Sequence, residues 1–179
     1  MIFEPFEPFL AAEFHVKFAT SEWEKRGAAA LRRKVFCEEQ GIFQGSDRDA
    51  IDNVAIPIVA LSLLGIAADE VVGTVRIHEA EPDLWWGSRL AVSGPYRRIG
   101  ALGTGLIRLA VSSAHARGCV RFLAHVQSQN APLFHRLHWR TLEEVDLHGH
   151  PHHRMEADLA FYPPFAAPEI GFHALKKAA

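Results

Sequence analysis

The stretch from Arg89 to Gly118 constrains this chain more than any other. It opens with strand-like residues, Arg89-Leu90-Ala91-Val92-Ser93, and breaks at Gly94-Pro95. It then turns through Arg97, Arg98, Gly100, Gly103 and Gly105. Apolar positions Leu102, Leu106, Ile107, Ala110, Val111 and Ala114 follow at helical spacing, and Gly118 suits a C′ position in the left-handed region. Strand, glycine-rich turn and helix start form a backbone recipe for holding phosphate. Free amides point at the ligand, glycines allow close approach, and the helix dipole favours negative charge.

Charge is distributed in the same sense. No Asp or Glu lies between Leu84 and Leu142, yet arginine stands at 89, 97, 98, 108, 117, 121, 136 and 140. The whole chain carries 19 basic and 21 acidic side chains, so these arginines leave a strongly acidic remainder. Such a cluster is expected to form an anion cradle.

Two common phosphate motifs are excluded. A P-loop needs Lys and Ser/Thr after its last glycine, but Gly105 is followed by Leu106-Ile107. The dinucleotide pattern fails at Arg108, where its third glycine would stand, and lacks the acidic residue about 20 positions on. The stretch instead resembles the GNAT acetyltransferases, whose pyrophosphate loop reads R/Q-x-x-G-x-G/A after a strand like Arg89-Leu90-Ala91-Val92. Tyr96-Arg97-Arg98-Ile99-Gly100 and the helix ending Ala116-Arg117-Gly118 carry the likeness further, with one extra residue before Gly103. Arg33-x-x-Phe36-x-x-Glu39-Gln40 and Pro151-His152-x-x-Met155 extend it over roughly residues 14–161. Within the family, the chain resembles a bacterial subgroup associated with nitrogen starvation and nitrilase-linked gene clusters.

The elements read in order as follows. Phe14, Val16 and Phe18 alternate as a first strand, and Ser21-x-x-Glu24 signals a capped helix running to about Glu38, with Trp23, Leu31 and Val35 inward. Gly41 to Asn53 is a polar connection. Strands over Ala55–Leu64 and Glu70–Glu79 flank a hairpin turn, and Trp85–Ser93 leads into the glycine-rich helix. A strand from Cys119 to Gln127, a helix capped by Asn130, and a final hairpin around Gly149-His150-Pro151 complete the pattern. This is an α+β chain. The resemblance implies a central mixed, mostly antiparallel sheet with a splayed parallel strand pair, flanked by helices. The expected organisation is an arm over 1–13, a GNAT domain over 14–162 and a loose tail over 163–179.

Composition places the chain among ordinary globular domains, with 49% hydrophobic and 22% charged residues. Cys37 and Cys119 lack metal-site spacing, so a reducing, cytoplasmic setting is the default. His148, His150 and His152 would share a strand face at a spacing that can bind zinc, but Gly149 and Pro151 put them in a turn, and no metal is expected. A net charge of −2 argues against nucleic acid, and nothing suggests a membrane partner; a homodimer is compatible.

The resemblance implies acetyl-CoA as co-substrate, seated on Leu90, Ala91, Val92, Arg97, Arg98, Ile99, Gly100, Ala101, Leu102, Gly103, Thr104 and Gly105, with Asn130 and Phe134 beyond. A primary amine of a small molecule would then attack the thioester, with the amide at or near Val92 as oxyanion donor. Many relatives carry a tyrosine general acid where this chain has Phe134. Either His135 substitutes, or water protonates the thiolate, or the chain is a non-catalytic acyl-CoA-binding module. The usual carboxylate on the strand before the loop is also missing, leaving Glu39 and Glu79 as candidate bases.

Overall fold

The computed structural model describes residue 5 and residues 8–178. An eight-stranded sheet runs in the order β6-β7-β5-β4-β3-β2-β1-β8. Its strands are β1 (Glu13–Phe18), β2 (Ile56–Leu64), β3 (Ala67–Glu81), β4 (Leu84–Val92), β5 (Arg121–Gln127), β6 (Trp139–Leu147), β7 (His150–Ala157) and β8 (Phe172–Leu175). Every neighbouring pair is antiparallel except β4 and β5. Helices α1 (Glu22–Arg32), α2 (Gly100–Ala116) and α3 (Ala131–Arg136) flank it. No helix among the described residues is long and apolar enough to cross a membrane.

Local signals explain most of these elements. Ser21 and Glu24 form the predicted reciprocal cap of α1, a device worth about 1 kcal/mol. Beyond Arg32 the helix widens into a π-turn over Arg33–Glu39. Trp23 is 41% exposed rather than inward. The buried face of α1 runs through Glu24, Ala28 and Leu31, because Gly27 lets the helix lie directly on Val71 of β3. The β6–β7 hairpin closes on His148-Gly149, both at positive φ, which matches the twist of the flanking strands.

The main core lies between α2 and the sheet, with Leu102, Leu106, Leu109 and Val111 meeting Phe14, Ile77, Phe122 and Met155. Each such fully buried side chain contributes about 2 kcal/mol.

The segment expected as a loose tail returns to the sheet instead. β8 pairs with β1 from Glu13↔Leu175 to Val16↔Phe172, and Phe165, Phe172 and Ala174 pack on the core. Gly171 makes the approach feasible: at φ +68° any Cβ would sit 1.9 Å from Val16 O. Of the arm expected over residues 1–13, residues 1–4, 6 and 7 lie outside the described ones. Ala11 is buried, and its N–H donates to the Tyr96 hydroxyl at 3.2 Å.

Candidate active site

β4 and β5 pair only from Leu84↔Arg121 to Gly87↔Ala124. Beyond that the two strands diverge. Ser88–Val92 keeps its β3 partner while His125–Gln127 keeps its β7 partner, and a gap opens between them. A bulge sharpens the divergence. Thr74 faces Ala91 and Arg76 faces Ser88, so Arg89 and Leu90 together oppose Val75, with Arg89 at φ +56°.

A cavity of about 420 Å³ fills this gap. Leu90, Ala91 and Val92 form one wall, Ala124 and Val126 the other, and Phe122, Phe134 and Trp139 the floor. Ile99, Gly100 and Gly103 reach its rim, so the start of α2 opens onto it. Ile99 gives α2 no side-chain cap, and the first turn contains no acid. Amides that a helix cannot satisfy internally are thus presented to the cavity with the positive end of the dipole. A Cβ on Gly103 would have only Leu133 near it, at 3.9 Å, so the rim is open enough for a bulky anion.

A second cavity, about 380 Å³, lies on the α1 side of the sheet. It shares Gly87, Ser88, Arg89, His125, Gln127 and His152 with the first, so the two meet at the splay. Across the opening, Gln127 Nε2 donates to Gln40 Oε1 at 2.9 Å, tying β5 to the end of the π-turn.

Residues 51–140 match the acetyltransferase (GNAT) family, a span that contains β4, its bulge, α2 and β5. The chain belongs to the GNAT acetyltransferase family. A Bacillus subtilis (strain 168) protein catalogued as a candidate acetyltransferase is 29% identical over 143 residues, covering 77% of this chain and 92% of its own. A candidate N-acetyltransferase of Lactobacillus plantarum superposes with a TM-score of 0.71 at 23% identity, over 80% of this chain and 97% of that one. An acyl-CoA N-acyltransferase of Pseudomonas aeruginosa gives 0.66 at 19% identity, over 81% and 98%. The splayed strands and the uncapped start of α2 lie within the span that matches this family.

The predicted cofactor residues separate into two groups. Leu90, Ala91, Val92, Arg97, Ile99, Gly100, Gly103, Asn130 and Phe134 line the first cavity. Arg98, Ala101, Leu102, Thr104 and Gly105 do not. α2 begins at Gly100, so Gly103 and Gly105 sit inside the helix rather than in a preceding turn. Leu102 is wholly buried in the core, and Gly105 faces β1 and β8, where a Cβ would lie 3.3 Å from Val16 Cγ2.

The arginine cradle is also smaller than its sequence suggests. Arg89 pairs with Asp47 and Asp49, Arg121 and Arg140 with Glu156, and Arg117 with Glu169. Arg97 donates through Nε to Val92 O at 3.0 Å and through Nη2 to Glu39. Folding brings distant carboxylates to these guanidiniums, and linear spacing could not reveal that.

None of the three predicted catalytic side chains reaches either cavity. Glu39 is held by Arg97. Glu79 lies at the exposed end of β3, where its Oε1 accepts from Asp83 N–H at 3.0 Å. His135 Nε2 meets Thr141 Oγ1 at 3.0 Å, and Thr141 in turn meets His153 Nδ1 at 2.9 Å. Phe134 is buried against Trp139 with ring centroids 5.1 Å apart.

Both tyrosines of the chain are structural. Tyr96 accepts from Ala11, while Tyr162 accepts from Trp139 Nε1 at 3.0 Å and donates to Leu137 O at 2.5 Å. The histidine run is divided too. His152 is buried with Nδ1 on His150 O, whereas His153 turns to Thr141. Among the described residues no three His, Cys, Asp or Glu side chains converge as metal ligands.

Sequence reasoning missed His78 and His125, which line the second cavity. Burial lowers the pKa of each; Arg76 adds to the effect at His78, and His152 and Arg154 add to it at His125. Strand alternation puts His78 and Glu79 on opposite faces, but only the folded sheet, with His78 opposite Trp86, shows which one faces the pocket.

Proposed function

We propose that this protein is an acetyl-CoA-dependent N-acetyltransferase that acylates a primary amine of a small molecule by direct attack on the thioester. The observation carrying the reading is the divergence of β4 from β5 after Gly87↔Ala124, beside an uncapped and acid-free α2 N-terminus. On this reading, the amides opening α2 at Gly100, Ala101 and Gly103 hold the pyrophosphate, with Arg98 exposed nearby. The free β4 edge at Leu90–Val92 orients the pantetheine. Acetyl-CoA supplies an electrophilic carbonyl carbon joined to a good leaving group.

The residues of the chain bind, orient and exclude water. Phe122, Phe134 and Trp139 keep the thioester in an apolar channel, which strengthens each polar contact made to the reacting atoms. With neither tyrosine lining a cavity, the departing thiolate takes its proton from solvent. A cytoplasmic setting, where free thiols such as Cys37 and Cys119 persist, agrees with this chemistry.

The test is release of free CoA thiol from acetyl-CoA in the presence of an amine panel, with the acetylated amine identified by mass. Amine-dependent release supports the proposal. Tight CoA binding with no release from any amine would instead make the protein a non-catalytic acyl-CoA-binding module, the reading favoured by Phe134 in the tyrosine's place.

A further inference from the structure

The second cavity carries information about the acceptor, because its charges are already matched to one another. Arg76 Nη1 and Nη2 donate to the two oxygens of Asp49 at 2.7 and 3.0 Å, and its Nε donates to Ser88 Oγ at 2.8 Å. Arg89 Nε donates to Asp47 at 3.0 Å and its Nη2 to Asp49 at 3.3 Å. Asp52 completes the group by accepting from Arg32 at 2.7 Å. A carboxylate or second ammonium on a ligand would lose its hydration here without gaining a free counter-charge.

Most of the surface left for a ligand is apolar, with Gln127 and the imidazoles of His125, His148 and His152 as uncharged polar groups among it. Phe36, Phe43 and Trp86 supply aromatic faces, and Ile42, Ile51 and Leu147 supply aliphatic ones. A volume near 380 Å³ accommodates a body the size of a small aryl or medium alkyl group.

Among the polar groups of this lining, His78 is distinguished by a buried atom, Nδ1, without a hydrogen-bond partner. A doubly protonated ring would leave a buried N–H unpaired, so the neutral imidazole is favoured, in keeping with its lowered pKa. The groups around it are Arg76 and Asp49, already paired, Trp86 opposite on β4, and the imidazoles of His125, His148 and His152.

We infer that the acceptor is a monoamine on an uncharged aryl or alkyl body seated in the second cavity, and that His78, which lines that cavity, takes the ammonium proton. The inference rests on the acetyltransferase reading above. The bound ammonium gives one proton to His78, which later returns it to solvent. The free amine forms the C–N bond as the C–S bond breaks, and the second nitrogen proton balances the one gained by the thiolate.

The experiment compares kcat/KM for 2-phenylethylamine and hexylamine with that for spermidine, lysine and glutamate, using the full chain and acetyl-CoA. A preference of about tenfold or more for the first pair is expected. His78→Gln should lower kcat by about a hundredfold with either favoured amine and flatten the acid limb of the pH–rate profile, while the melting shift given by CoA stays intact. Preference for spermidine, lysine or glutamate overturns the acceptor class and leaves the transferase reading standing. An unchanged His78→Gln profile overturns the role of His78. CoA binding without turnover of any amine overturns the transferase reading and the inference together.

Discussion

Arg89 and Asp47 meet at 3.0 Å although 42 positions separate them. The contact joins the β4 bulge to the loop that precedes β2, and Asp47 also accepts from Arg32 Nε at 2.7 Å. The Arg89 guanidinium lies over the Phe43 ring, 4.5 Å from its centroid. An arginine that sequence reasoning assigns to an anion cradle thus holds the wall between the two cavities. Its left-handed backbone and its side-chain pairing act on the same bulge.

Asp47→Ala removes the shared acceptor and leaves Arg32 and Arg89 short of a partner. We expect a loss of about 3 kcal/mol in urea unfolding. The KM for acetyl-CoA should rise as well, because the bulge is no longer tied to the loop. Unchanged stability would show that Asp49 and Asp52 carry the network alone.

Gly103→Asp should fold and fail to bind CoA. The site has room for the side chain, and a carboxylate in the first turn of α2 suits the helix dipole. It would also compete with a phosphate for the same amides. CoA at a hundred times its Kd should stabilise the native protein by about 2.7 kcal/mol and the variant by almost nothing. An equal melting shift in both would place the pyrophosphate elsewhere.

His135→Ala should reduce kcat by less than about threefold and leave the alkaline limb of the pH profile unchanged, because the imidazole is spent on Thr141 outside both cavities. Phe134→Tyr, measured beside it, should retain CoA binding. A hundredfold loss at His135 would make it the proton donor.

Acid should weaken the fold. Arg76 hydrogen bonds hold Asp49 below its ordinary value of 3.8; at Asp52 burial acts upward but is outweighed by bonds from Arg32, the Asp49 backbone and Arg76. At Glu24 and Glu156, burial is likewise outweighed, by Lys17 and by Arg121, so both lie below 4.5. Depressed carboxylates bind fewer protons in the folded state, so their stabilisation is complete above the unfolded values. It is lost as pH falls below about 4 toward the folded values. Urea midpoints measured from pH 6 to pH 3 should fall mainly in the last unit, and Asp52→Asn should flatten that drop.

Local chemistry alone determined much of this protein. Ser21 with Glu24 set a helix start, the apolar spacing from Leu102 to Ala114 set α2, and Gly94-Pro95 separated it from β4. These are contacts among near neighbours, so periodicity and capping chemistry expose them. The motif around Arg89–Gly103 also pointed to the family, whose scaffold then implied the splayed strands.

Tertiary structure decided what depends on register and on distant partners. The pairing of His78 with Trp86 turned His78 toward the second cavity and left Glu79 outside both cavities. Gly171, which looks like any tail glycine, allows β8 to close on β1. The arginines clustered along the chain were distributed to Asp47, Asp49, Glu39, Glu156 and Glu169. Strand alternation tells which residues share a face but not which face is inward. Ion pairs tens of residues apart exist only after the sheet has brought their backbones together.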